Sequence, residues 1–175
     1  MIVYSKVRQS KIAEVIIIGI RFLVGFAFIP SGLTKLLNRR FTPLSADDPI
    51  SYFFDALYQA TLYWNFLGFC QVFTAFLLFT QRFATLGAVL FCGIICNIFV
   101  ITVSMNFKLT WVITLLMLCA GILLLAWDWH KVKILVGIYP SKYEIENYKS
   151  PSLLWQIIGL LLFIVFTILM RSFTA

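Results

Sequence analysis

Charge is scarce in this chain. Only 12% of its 175 residues are Asp, Glu, Lys or Arg, and the acidic ones number seven. Soluble domains carry roughly 25% charged residues, so a water-soluble globular domain is excluded. Histidine occurs once, at His130. The four cysteines, Cys70, Cys92, Cys96 and Cys119, form no CxxC pair and all fall in apolar runs. That spacing offers no metal-ligand set and no disulfide scaffold. P-loop, Rossmann and serine-hydrolase signatures are missing, as are internal repeats and low-complexity tracts.

What is present is apolar: 62% of the residues are hydrophobic. A span needs about 20 apolar residues, and five segments qualify, near 12–37, 60–80, 84–104, 108–127 and 153–170. Lipid gives the backbone no partners, so each is helical. Short turns at 80–82 and 104–108 make neighbouring spans antiparallel. The first apolar run is too long for a signal-peptide core and reads as a retained span. The expected fold is an all-α membrane protein: a four-helix transmembrane bundle, a fifth C-terminal transmembrane helix and a short amphipathic surface helix.

Net charge is +7. The basic residues flank apolar segments, which points to lipid headgroups and topology rather than nucleic acid. Lys6, Arg8, Lys11, Arg82, Lys131, Lys133, Lys142 and Lys149 fall on the N-terminal side of the bilayer; Lys35, Arg39, Arg40, Lys108 and Arg171 fall on the other. The excess predicts a cytoplasmic N-terminus, and five spans then put the C-terminus outside.

Two connections are longer. In "ADDPISYFFDALYQA", Asp48 is placed to cap a helix whose first residue is Pro49. Ile50, Phe53, Phe54, Leu57 and Tyr58 then share one face, giving an amphipathic helix over 49–58 that is too short to span. In "WDWHKVK", Trp127 and Trp129 suit the interfacial belt, and Lys131 and Lys133 suit cytoplasmic headgroups.

The unusual span is the first. "RFLVGFAFIPSGLTKLLNRR" holds Arg21, Gly25, Pro30, Gly32 and Lys35. Counted from the cytoplasmic end, Arg21 is about 9 residues or roughly 13 Å deep. An arginine there must face protein or water. Gln71 of span two is counted to the same level; Asn97 of span three lies further out, and Glu14 and Asp128 lie toward the cytoplasmic end. These residues, together with Lys35, outline an internal polar cavity lined by the first span, with at least one of Gln71, Glu14, Asn97 or Asp128 expected within hydrogen-bond distance of Arg21. The arginine is either a structural charge satisfied by these groups or the anchor of an anionic or quinone-like ligand. Pro30 is expected to kink the span and Gly32 to admit close approach of a helix or ligand. Lys35 lies close enough to the outer surface to snorkel. Ala84, Ala88, Cys92 and Cys96, spaced by four, read as a packing stripe. A thiol site is the alternative, since Cys70, Cys92 and Cys119 count to a depth near that of Arg21.

These stretches carry a resemblance. "RFLVGFAFIPSGLTKL" resembles the first span of the DoxX-like family. "DPISYFFDAL" resembles its short helix, "LGFCQVFTAFLLFTQRFATLGAVL" its second span, turn and third-span start, and "LLLAWD" the end of its fourth span. The likeness runs over roughly 15–130. It implies a four-span unit over 1–130, and 131–175 is then a cytoplasmic connection and an added fifth span, a candidate contact for homo-oligomers or a partner. It also implies a bacterial inner-membrane protein linked to redox enzymes or their maturation, with a quinone as candidate cofactor. Gln71 stands where many members carry Glu, which removes an acid from span two. Three classes stay open: a membrane subunit or partner of a redox system, a non-catalytic assembly or anchoring factor, and a small-solute transporter. The last lacks the inverted repeat or paired broken helices of many transporters.

Overall fold

The computed structural model describes residues 10–40, 49–139 and 151–174. All regular structure among them is helical: α1 (Lys11–Leu36), α2 (Pro49–Gln59), α3 (Thr61–Phe79), α4 (Ala84–Ser104), α5 (Thr110–Trp127), α6 (Trp129–Val132), a 3-10 turn (Lys133–Val136) and α7 (Leu153–Thr174). Five of these, α1, α3, α4, α5 and α7, are long and apolar enough to cross a membrane. The chain is a multi-pass membrane protein. The expected cap from Asp48 lies outside the described residues.

Each span is where an apolar run is bounded by a chain reversal. Ser10 starts α1, its hydroxyl accepting from the Ala13 N–H at 3.5 Å. Between α4 and α5, Asn106 and Lys108 take left-handed conformations (φ 46° and 29°), which delays the next helix to Thr110 rather than 108. Pro30 sits inside α1, which runs through it as one helix. Thr34 Oγ1 donates to the Pro30 carbonyl at 2.9 Å, a local side-chain bond within the same stretch of helix.

Helices α1, α3, α4 and α5 form the bundle: α1 packs on α3, α3 on α4, α4 on α5, and α5 returns to α1. Its core is Phe28, Ile29, Ala75, Leu78, Phe79, Ala88, Phe91, Ile95 and Leu124. Phe28 and Phe91 meet at 4.7 Å between centroids, joining α1 to α4. Among these four helices the closest crossing is between α1 and α3. A Cβ on Gly32 would lie 2.9 Å from the Gly68 carbonyl oxygen, and one on Gly68 would lie 2.7 Å from that of Gly32. Only two glycines facing each other allow the backbones this close. What approaches Gly32 is therefore a helix. Gly25 faces the Phe79 ring.

α7 lies outside the four, against α1 and α3. Phe163 meets Phe76 and Phe79 edge-on, and Phe166 meets Phe26 edge-on at 4.6 Å between centroids. α2 packs on α3 at the end opposite the chain's start. Ile50 is buried, and Phe53, Phe54 and Leu57 are half-buried. Phe54 meets Phe107 and Tyr58 meets Trp64. This is the amphipathic surface helix, one residue longer than expected.

Candidate functional site

Two buried cations organise the interior, one midway along α1 and one near its C-terminal end. The sequence placed both at the wrong depth. The α1–α3 register corrects this: Gly25 lies opposite Phe79, Gly32 opposite Gln71 and Val72, and Lys35 opposite Gly68. α1 has 26 residues and α3 has 19, and the surplus falls at the start of α1. Counting both spans from a common end put Arg21 beside Gln71. In the structure Arg21 lies beyond the last residue of α3.

There Arg21, 4% exposed, draws three helix ends together. Its Nη1 donates to Gln81 Oε1 at 3.0 Å and its Nη2 to Asp128 Oδ2 at 2.9 Å. Thr85 Oγ1, in the first turn of α4, donates to the same Asp128 oxygen at 2.9 Å. Asp128 follows α5 and Gln81 follows α3. Two helix C-termini, each with unpaired carbonyls, converge on the guanidinium, which their dipoles favour. Of the expected partners, Asp128 bonds Arg21. Asn97 does not: it is exposed on the outer side of α4. Glu14 is half-buried in the first turn of α1.

Gln81 was missed because "TQR" reads only as a turn. It takes a left-handed conformation (φ 57°), a position that usually suits glycine. The side chain accounts for glutamine there. Its Nε2 donates to the Leu78 carbonyl at 2.9 Å while its Oε1 accepts from Arg21. The stretch after Asp128 keeps Trp129 exposed, as expected of an interfacial residue, but buries Lys133, which was expected among headgroups. It forms α6 and the 3-10 turn, with His130 and Lys133 buried beneath them.

The second cation is Lys35, 7% exposed. The expected snorkelling to the outer surface does not occur. Side chains on a helix lean toward its N-terminus, so a lysine near the C-terminal end of α1 points back into the bundle. Its Nζ donates to the Ser31 carbonyl at 3.0 Å, Ser31 Oγ at 2.8 Å and Gln71 Oε1 at 3.0 Å. Ser31 Oγ also donates to Gln71 Oε1 at 3.2 Å. The ammonium lies 5.2 Å from the centroid of Trp64, a cation–π distance. Trp64 is fully buried, and its Nε1 donates to the Arg39 carbonyl at 3.1 Å. Gln71 is near the middle of α3, so the deeper cation is Lys35. Thr74, one turn along α3, is also fully buried.

The DoxX family model matches residues 16–105. This chain belongs to the DoxX family. The match takes in both cations, Gln71, Gln81 and the helices α1 to α4; it stops before α5 and Asp128. No curated protein and no solved structure matches the chain.

The cysteines of this DoxX chain are all free. Ala84 and Ala88 are buried, as the packing stripe requires, and Cys92 lies where a Cβ on Gly121 would reach its sulfur at 2.8 Å. The stripe then leaves the interface: Cys96 is exposed. Among the described residues no group of three His, Cys, Asp or Glu side chains is placed to hold a metal.

Proposed function

We propose that this DoxX protein serves a redox system of the bacterial inner membrane as a membrane subunit or partner, and that it contacts a quinone-type headgroup at Lys35, Ser31 and Gln71. The observation that supports this reading is the buried Lys35 ammonium beside the ring of Trp64. The ammonium's three N–H groups rest on Ser31 and Gln71, so a ligand carbonyl would take over one of these bonds beside the Gln71 carboxamide, and the indole face adds a flat apolar wall. Carbonyl oxygens on an aromatic-sized ring match that set. The roof over it is α2, through Tyr58 on Trp64. Arg21, with its two terminal nitrogens on Gln81 and Asp128, serves as the clasp that holds the bundle end.

The test is a titration of the protein in lipid nanodiscs with a short-chain benzoquinone, followed by tryptophan quenching. Saturable binding is expected, weakened about tenfold by Lys35→Met, which removes a charged donor. Binding that is absent, or equal in the Lys35→Met protein, overturns the reading. A non-catalytic assembly or anchoring factor is the second reading. Its support is α7, whose apolar window is only 6% buried and leaves most of a span for a partner subunit.

A further inference from the structure

The middle of α4 carries a polar group on its outer face. Asn97 is the 14th residue of a 21-residue span, about seven residues or roughly 10 Å from its nearer end, and it is exposed. Hydrocarbon supplies no partner for an amide, and no hydrogen bond to this one is found among the described residues. Gln71 and Lys35, by contrast, bond each other inside the bundle, and Thr102 bonds Thr114 across α4 and α5 at 2.9 Å.

Asn97 belongs to a seam. Leu86, Leu90, Gly93, Asn97, Val100 and Ser104 are all exposed, at alternating spacings of four and three, the repeat of a helix that packs along a second helix. Gly93, one turn before Asn97, has no atom within 4 Å of the place a Cβ would take, so a second backbone can come close there.

We propose that this seam is the contact between two copies of the chain, with Asn97 bonded to the same residue of the second copy. An amide holds a donor and an acceptor in one group. Two amides related by a twofold axis therefore satisfy each other reciprocally, whereas a different partner would have to supply both functions at that depth. The exposed face of α7 has no comparable reason to leave lipid. Ile157, Leu161, Ile164, Val165 and Ile168 are as apolar as the acyl chains around them, and burial of such side chains between helices gains nothing over lipid except packing. Self-association thus belongs to α4, and α7 is left for lipid or another protein. The inference is independent of the ligand proposed at Lys35.

The full-length protein, labelled with donor or acceptor fluorophores and reconstituted in vesicles, tests it by energy transfer as lipid is added. Wild type is expected to dimerise, Asn97→Gln to dimerise as well, and Asn97→Leu to need at least tenfold more protein per lipid. Gly93→Leu, which fills the seam and leaves the amide, is expected to weaken the dimer too. In parallel, a variant retaining only the exposed Cys96 should cross-link through a short bis-maleimide, and one retaining only the exposed Cys119 of α5 should not. A monomeric wild type, an Asn97→Leu protein that dimerises undiminished, or cross-linking at Cys119 in place of Cys96 overturns the proposal. A dimer that survives both Asn97→Leu and Gly93→Leu assigns the contact to another face.

Discussion

Arg21 and Lys35 are both cations within α1, yet removing them leaves different things behind. Arg21→Leu leaves the Asp128 carboxylate, 4% exposed, with the Thr85 hydroxyl. Breaking a buried ion pair on one side costs about 3–5 kcal/mol. Lys35→Leu leaves the oxygens of Ser31 and Gln71, which are neutral, and removes a charge that itself costs free energy to bury. Its expected cost is about 1–3 kcal/mol. In thermal unfolding in detergent, Arg21→Leu should therefore lower stability more than Lys35→Leu. The double change Arg21→Leu with Asp128→Leu should recover much of the loss, because a buried pair replaced whole by apolar groups is often neutral. A Lys35→Leu protein less stable than Arg21→Leu, or a double variant worse than either single one, would refute the clasp assigned to Arg21.

At the scale of elements, α7 is held by aromatic rings and by one glycine. A Cβ at Gly159 would run into the carbonyl oxygen of Phe79, so the backbone of α7 lies directly on the end of α3. Gly159→Val is expected to push α7 off while the four-helix bundle stays folded. The check is a bis-maleimide cross-link between Phe76→Cys and Phe163→Cys in a protein with its native cysteines replaced, the two native rings being 5.4 Å apart between centroids. It should form with Gly159 present and fail with Gly159→Val; formation in both would show that the glycine does not seat the helix. None of this docking was legible beforehand. The five spans and the surface helix were, because hydrocarbon demands long apolar runs and a short amphipathic helix announces itself by period. The depth of Arg21 was not, since apolar residues fix that a helix crosses but not how far it slides along its neighbour. The glycines carried that information: Gly32 against Gly68 sets the register and thereby sends Gln71 to Lys35 instead of Arg21. The partnership of Arg21 with Asp128 was legible because both are ionisable and lie toward the same membrane face. Gln81 was not, because a left-handed glutamine leaves no pattern in the sequence.

For the whole molecule the remaining question is which way the bundle faces. Arg21, Arg82, Asp128 and the short helix after it gather at one end, and Lys35, Trp64 and α2 at the other. Counted along the sequence, the Lys and Arg that flank the spans favour the first end, with eight expected there against Arg39, Arg40, Lys108 and Arg171 at the second, since Lys35 is buried in the bundle. Positively charged flanks are retained in the cytoplasm, so the clasp end is expected to be cytoplasmic and the α2 end extracytoplasmic. Five spans then carry the C-terminus across. Reporter fusions should read a cytoplasmic N-terminus and an extracytoplasmic C-terminus; both termini on one side would refute a five-span topology. The bias is small enough to be levelled by a few residues. Replacing Lys6, Arg8 and Lys11 by Gln leaves nearly equal numbers on the two sides, and the reporters should then show mixed orientation, because the flank of the first span usually dominates the choice. Unchanged orientation in that variant would mean that the charged residues after α5, Lys131 and Lys133 among them, fix the bundle in the bilayer on their own.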